Sequence, residues 1–474
     1  MSLNSLFELS RRSFRALDAA MNVTGQNVAN ANTEGYSRRR ITLAADSPAI
    51  GGPQTSIRPA ISVGAGVSAV EYERVRDGLL EKASWEAQST LGYSQEEHRI
   101  TSALESLFPA SGGGSLSALL GNFWDSWSTL ANNPTDDGVR LTVRSSAEAL
   151  SGALNQLDAQ ITGLEQQTTT ELSSGLDRTN DLLKEIASLN RTIQTARAQG
   201  TPDLEAEDRR DGAVKELGAF APVRVNQQGK GGYTVSINGM TVVQADEWVS
   251  LDLDTSGATP QVVFSGTGVS YRANDPSSGQ IGAWLSMLSD TLPDTRTQLD
   301  TLARGLVTDV NALHAVPYDE DGNAQAAAPN FFYYTDDGSG NEDGVTAATI
   351  RISDDVETDP SIIGTPGSFT ATGDEIAFAI SELRGNGLTG LGGNTAESFA
   401  IDLVSGIGAR VQKASARATS QQAVTDHLDG LAKGKSGVSL EEEMTNLIRY
   451  QQAFAASARV LNTVDEMMST LLSI

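Results

Sequence analysis

Residues 439–474 read SLEEEMTNLIRYQQAFAASARVLNTVDEMMSTLLSI. The apolar positions are Leu440, Met444, Leu447, Phe454, Ala458, Leu461, Val464, Met468 and Leu471, with Gln451 in one seam position. Steps of three and four residues are heptad spacing, which lays one side of a helix against a partner. Ser439 is a fair N-cap, and Glu441, Glu442 and Glu443 occupy the first turn, where the helix dipole favours carboxylates. The opposite end of the chain repeats the pattern with Leu3, Phe7, Ser10, Phe14, Leu17, Met21, Thr24 and Val28. Ser10 and Thr24 are polar interruptions there, so an isolated coiled coil is a poor expectation. Two amphipathic end helices need each other, or neighbouring copies, to cover their stripes.

Working inward, the N-terminal helix stops at an Asn/Gly-rich stretch. From 38 to about 75 the chain is punctuated by Pro and Gly, with β-like runs at 40–43 and 57–63, an extended arm with a hairpin. Helix returns at 75–108, breaks at PASGGGS, resumes from Leu116 to Leu130 and ends at ANNPTDDG. A stripe of Leu and Ile then runs through 139–198, far longer than the ~11–12-residue mean helix. A short helix at 204–217 precedes alternating runs over 222–272, among them 233–237 and 240–243 joined by Asn238-Gly239, a strong hairpin signal. Helix resumes at 279–315, interrupted near Pro293.

The fold class expected is mainly α with inserted β: a long-helix bundle or coiled coil formed from both chain ends, a small β domain and a small α+β insertion. The boundaries expected are 1–33 for the N-terminal coiled-coil helix, partnered by 439–474, and 34–200 for the arm and long-helix bundle. An inserted β domain takes 201–278, the bundle continues at 279–344, the α+β insertion takes 345–394, and helix returns at 395–438.

Composition narrows the function. The 474 residues carry a net charge of −26, and hydrophobic side chains make up 39%, below the ordinary ~45–50% apolar share. Residues 1–90 hold ten basic and nine acidic side chains and 395–474 hold seven and nine, so 91–394 carries 17 basic against 42 acidic. An acidic body between near-neutral ends disfavours nucleic acid and membrane surfaces as partners. Cysteine is absent, which excludes disulfides and thiolate chemistry. The opening residues interleave Arg11 and Arg12 with apolar positions and form no signal-peptide core. No apolar run approaches ~18 residues, so no membrane span is expected.

No catalytic constellation emerges, and the chain reads as a non-enzyme with no cofactor and no metal. His98, His314 and His427 have no paired ligand spacing. Asp319 and Asp321 would put Pro317 at the first ligand position of a calcium loop, and a loop starting at Asp337 has Glu342 where Gly is needed. QGKGGY at 228–233 lacks the phosphate-loop spacing. Trp124 and Trp127, three apart, read as one buried helix face.

The stretch NVANANTEGYSR, Asn27–Arg38, is the specific signal. Ala29, Asn30, Asn32, Thr33, Gly35 and Tyr36 match the Ala-Asn-x-Asn-Thr-x-Gly-Tyr signature, and the chain resembles the flagellar axial proteins, which build rod, hook and hook–filament junction. Physically the stretch is a helix stop: Asn bonds to local backbone, Gly35 permits φ > 0, and Tyr36 anchors the turn. Further stretches, ALLGNFWDSWSTLANNPTDDGVR and DRRDGAVKELGAF among them, look like the junction members. The resemblance implies a structural subunit joining hook to filament by helical self-assembly through its terminal helices. The alternative is another axial protein (hook protein or hook-associated protein 3). Implied partners are other copies in a helical lattice, hook protein, hook-associated protein 3, and an export chaperone at the C-terminal helix. The implied location is the extracellular flagellum, reached by type III export without a cleaved signal. The assembly residues expected are the six signature positions and the seams Leu3, Phe7, Phe14, Leu17, Met21, Val28, Leu440, Met444, Leu447, Phe454, Leu461, Val464, Met468 and Leu471.

Overall fold

The computed structural model of the chain describes residues 3–33, 35–45, 67–109, 111–228, 231–257, 259–271, 278–315, 330–333, 344–364 and 375–472. The expected β-like run at 57–63 and the acidic loops at 317–322 and 337–342 lie outside these residues.

Helix α1 (Leu3–Ala29) leads into strands β1 (Arg39–Ala45) and β2 (Val67–Arg74) of the arm. They pair antiparallel with Arg39 opposite Arg74, and a bulge falls between Thr42 and Leu43. Helices α2 (Gly78–Leu107), α3 (Leu116–Asn132), α4 (Asp137–Ala198) and α5 (Leu204–Phe220) follow. Ser115 caps α3 by accepting from the Ala118 amide at 3.3 Å. The 62 residues of α4 keep Leu150, Leu154, Ile161, Leu172, Leu183, Ile186 and Ile193 buried along its length.

Strands β3 (Val223–Gln228), β4 (Gly232–Ile237), β5 (Met240–Gln244) and β6 (Glu247–Trp248) form an antiparallel meander. Its tight turn has Asn238 at φ 50° and Gly239 at φ 83°, the left-handed pair that a two-residue hairpin requires. The β-rich stretch does not close into one sheet, however. Strands β7 (Leu251–Asp254), β8 (Gln261–Phe264) and β9 (Val269–Ser270) make a separate three-stranded sheet. Strand β6 is two residues long and exposed on both.

Helices α6 (Gly279–Ser286) and α7 (Leu292–His314) flank a π-helical turn at Met287–Thr291. The interruption expected near Pro293 therefore precedes it. Pro293 sits at the start of α7, directly after the π-helical turn. Within 345–394 the described residues give α8 (Asp354–Thr358) and α9 (Glu375–Glu382), and their strand-type pairing is the bridge from Ile352 to Phe332. Helices α10 (Ala396–Ser436) and α11 (Leu440–Leu472) complete the chain.

The chain divides into two compact units, one comprising Met1–Ser89, Thr179–Ser250 and Gln422–Ile474, the other Thr90–Arg178 and Leu251–Gln421. The second has an aromatic core. Trp127 lies 5.0 Å from Phe331, Phe331 lies 4.9 Å from Phe332, and Phe123 lies 4.9 Å from Trp124. Trp124 and Trp127 are both buried, as their three-residue spacing implies. In the first unit, Asn190 of α4 pins the meander: it donates to the Tyr233 and Ala245 carbonyls at 2.9 and 2.8 Å and accepts from the Tyr233 amide at 2.9 Å.

Candidate assembly site at the paired chain ends

Helices α1 and α11 pack antiparallel in the first unit. Phe14 meets Phe454 edge-on at 4.7 Å between ring centroids, while Asn27 reaches Glu443 at the other end of the pair. The faces that meet differ from a count of large apolar residues. On α1 the buried positions are Ser10, Ala16, Ala20, Val23, Thr24 and Asn27. Phe14, Leu17, Met21 and Val28 are half-buried and Phe7 is exposed. The buried side of α1, on which the arm strands pack as well as α11, is thus turned slightly from the expected seam, and the two polar interruptions, Ser10 and Thr24, lie inside it. Small residues at 16 and 20 permit close approach, and the Thr24 hydroxyl donates to the Ala20 carbonyl at 3.0 Å, so its burial leaves no open donor.

On α11, Leu447, Phe454, Ala458 and Leu461 are half-buried and Val464 is buried. Leu440, Met444 and Met468 of the expected seam are exposed instead. Ile448, Val460 and Met467 are exposed as well. Leu3 and Leu471 lie outside the described side chains.

The signature forms the loop that closes α1. Gly35 adopts φ 77°, the left-handed conformation that glycine tolerates. Asn30 donates to the Gln26 carbonyl at 3.0 Å and accepts from the Thr33 hydroxyl at 3.3 Å. Ala29, Asn32 and Thr33 are exposed, Asn30 and Tyr36 half-buried. The loop is organised around Asn27, which is 1% exposed. Its Oδ1 accepts from the Tyr36 hydroxyl and the Arg39 amide, both at 2.9 Å. Its Nδ2 donates to the Arg39 carbonyl at 2.9 Å and to Glu443 Oε2 at 3.1 Å. All four bonds available to an amide side chain are made. Tyr36, acting as a donor, has its pKa raised, chiefly by burial.

Glu443 is 3% exposed, and Arg38 completes its coordination. The Arg38 Nε and Nη2 lie 2.8 Å from Glu443 Oε1, and Nη1 lies 2.9 Å from Glu442 Oε2. The Arg38 amide donates to the Ser436 carbonyl at 2.9 Å. A carboxylate from the first turn of the last helix is thereby clasped by the loop that ends the first.

Arg39 links this clasp to a second ionic cluster. Its guanidinium lies 5.1 Å from the Tyr36 ring centroid and 3.8 Å from Asp208. Helix α5 buries Glu207, Arg210 and Asp211 on one side at three- and four-residue spacing. Arg74 of the arm reaches Glu207, Asp208 and Asp211 at 3.0, 2.9 and 2.6 Å. Arg76 pairs with Asp211 and Glu81, and Arg197 reaches Glu207 at 2.6 Å. This region positions the arm and the ends together. Among the described residues, no group of three or more His, Asp or Glu side chains is arranged to hold a metal ion, and no helix is long and apolar enough to cross a membrane.

Asn27, Arg38 and Glu443 are absent from the sequence-derived site. Glu443 reads locally as a dipole-favoured acid, and nothing local ties it to a residue 416 positions away.

Comparison with known proteins separates the ends from the body. Residues 14–36 match the family described as "Flagella basal body rod protein", and 434–474 match "Flagellar basal body rod FlgEFG protein C-terminal". Residues 101–332 match "Flagellar hook-associated protein FlgK helical domain". Flagellar hook-associated protein 1 of Bacillus subtilis is 26% identical over 505 aligned residues, covering 98% of this chain and 97% of that protein. Its counterpart in Salmonella typhimurium is 25% identical with all of both chains covered. A solved structure of the flagellar hook junction protein FlgK from Burkholderia pseudomallei aligns at 25% identity and a TM-score of 0.47, over 54% of this chain and 47% of that one. The ends match models for rod proteins at large and the middle a model for one kind of axial protein, so the chain is similar to the flagellar axial proteins and, over its full length, to hook-associated protein 1.

Proposed function

We propose that the chain is a structural, non-enzymatic subunit of the bacterial flagellum that joins hook to filament, its copies packing through the paired terminal helices. The observation that carries this reading is the set of large apolar side chains left exposed along α11. With α1 already covering one side, Leu440, Met444, Ile448, Val460 and Met467 remain between 46% and 51% exposed. Leu440 and Met444 prolong the heptad positions of Leu447, Phe454 and Leu461, and Ile448, Val460 and Met467 lie on other sides of the helix. So much apolar surface exposed on one helix is unfavourable in water unless another surface covers it. The covering surface is another copy, because Leu440 and Met444 continue the α1–α11 contact and the chain ends carry almost no net charge to oppose stacking. Contacts between unlike surfaces of identical copies generate helical lattices. Hook protein and hook-associated protein 3 would then bound the junction, a chaperone would cover α11 before export, and the finished subunit would sit outside the cell without having lost a signal peptide.

Ile448→Asp tests the reading. Residue 448 faces outward, so the variant folds with an unchanged circular dichroism spectrum and is secreted, while filaments fail to form on the hook. Normal swimming by cells carrying it would remove this exposed part of α11 from the assembly surface.

A further inference from the structure

We infer that Glu443 sets the register in which the two terminal helices pair. Heptad stripes built from residues such as Ala16, Ala20, Ala453, Ala458 and Leu461 fix which sides face each other, but they repeat, so sliding one helix by seven residues preserves most of the apolar packing. A register needs an interaction that does not repeat. The clasp is such an interaction. The loop offers a single carboxylate site, made by Asn27 Nδ2 and the Arg38 guanidinium, and Glu443 fills it while nearly excluded from solvent.

Slipped pairings leave that site empty. One heptad further along α11 stands Tyr450, one heptad back stands Ser436, and no acidic residue occurs between Glu443 and Asp465. A displaced helix would leave the Asn27 amide without its outer acceptor. It would also strip Arg38 of its bond to Oε1 and bury Glu443 elsewhere without a cation. Removing one partner of a buried, hydrogen-bonded charge pair is heavily penalised, whereas an apolar side chain that slides out of one hole enters an equivalent one a heptad away. A lone polar group in a helix seam specifies register in the same manner, at some expense of stability. Asn27 also spends its remaining bonds on Tyr36 and both backbone groups of Arg39. Correct register and the path of the chain into β1 are therefore set by one side chain. The inference concerns pairing within one chain and stands whether or not copies assemble as proposed above.

The absence of cysteine makes the test clean. In the full-length chain at low concentration, the pair Phe14→Cys with Phe454→Cys reports the native register. Phe14→Cys with Leu447→Cys, or with Leu461→Cys, reports displacement by one heptad in either direction. With Glu443 intact, a short bismaleimide links the native pair in preference to either displaced pair by at least about tenfold. Glu443→Gln and Asn27→Leu reduce that preference to near parity, while Glu441→Gln, at an exposed first-turn neighbour, leaves it unchanged. Two results would overturn the inference. One is a tenfold native preference that survives both Glu443→Gln and Asn27→Leu. The other is a disappearance of all three cross-links together, which would make Glu443 necessary for pairing as such and not for its register.

Discussion

The guanidinium of Arg210 lies 3.4 Å from the ring centroid of Tyr233, which ties helix α5 to the meander through a charge that is 1% exposed. Arg210 Nη1 donates to Asn190 Oδ1 at 2.9 Å and to the Gly231 carbonyl at 2.6 Å. Burial lowers its pKa to about 10, so the cation persists at neutral pH. Arg210→Met keeps much of the volume and deletes two charge-assisted hydrogen bonds together with the ring contact. Such bonds contribute about 1.5–3 kcal/mol each, so amide exchange across Tyr233–Ile237 is expected to accelerate by about 10²-fold. Unchanged protection there would mean that the sheet is held by its apolar face alone.

A glycine in the middle of α4 leads to the second prediction. A Cβ on Gly175 would lie 2.3 Å from the Trp284 ring, and Trp284 Nε1 donates to Glu96 Oε2 at 3.2 Å. Gly175→Ala gains about 1 kcal/mol of helix propensity and forces the indole out of its slot, at about 1–3 kcal/mol for overpacking. The expected net result is a lower melting temperature with red-shifted tryptophan emission. A rise in melting temperature with unshifted emission would show that the ring has room to move.

These contacts mark where sequence reading stops. The 62-residue α4 was legible because its Leu and Ile stripe persists for many turns, and the Asn238-Gly239 turn because its chemistry is local. The buried side of α1 was harder. It is built from Ser10, Ala16, Ala20, Thr24 and Asn27, and a count weighted toward large apolar residues points slightly past it. The π-helical turn at Met287–Thr291 was legible only as an interruption near Pro293, which lies two residues beyond it. Within the signature, Gly35 and Tyr36 were readable as a helix stop. Their purpose, an Asn27-centred loop that receives Glu443, depends on a residue from the other end of the chain.

Alkaline titration gives the third prediction. Tyr36, Tyr93 and Tyr271 all have raised pKa values, burial being the largest cause in each. Tyr271 is the extreme case, its hydroxyl donating to the Ser278 carbonyl at 2.5 Å. A phenol held neutral in the folded chain binds its proton more tightly than in the unfolded chain. It therefore contributes stability that is complete below the ordinary tyrosine pKa of 10.0 and is lost as pH rises through the folded value. Phenolate absorbance should then rise in two phases, the later one coinciding with loss of helical circular dichroism. Tyr271→Phe should shrink the later phase. A single phase complete before any helix is lost would contradict the burial of these hydroxyls.

The last prediction concerns what holds the arm. Among the described residues strands β1 and β2 pair only with each other, and a two-stranded hairpin is marginal by itself in water. Arg39 stands directly opposite Arg74, a like-charge pair that opposes the hairpin unless acids intervene. Asp208 lies 3.8 Å from the first and 2.9 Å from the second, and Glu207 and Asp211 complete the set around Arg74. The arm is therefore anchored by its charges to α5. Arg74→Met leaves three shielded carboxylates short of a partner, for which about 3–5 kcal/mol is the usual scale. Limited proteolysis should then cut within 39–45 and 67–74 well before the rest of the chain. Arg40→Met, which removes the exposed pair with Glu73, should change stability by less than about 1 kcal/mol and leave the cleavage rate alone. Adding Asp211→Asn to Arg74→Met relieves one stranded charge and should restore part of the resistance. If Arg74→Met is cut no faster than Arg40→Met, the arm is held by its packing on α1 and the ionic cluster is incidental to it.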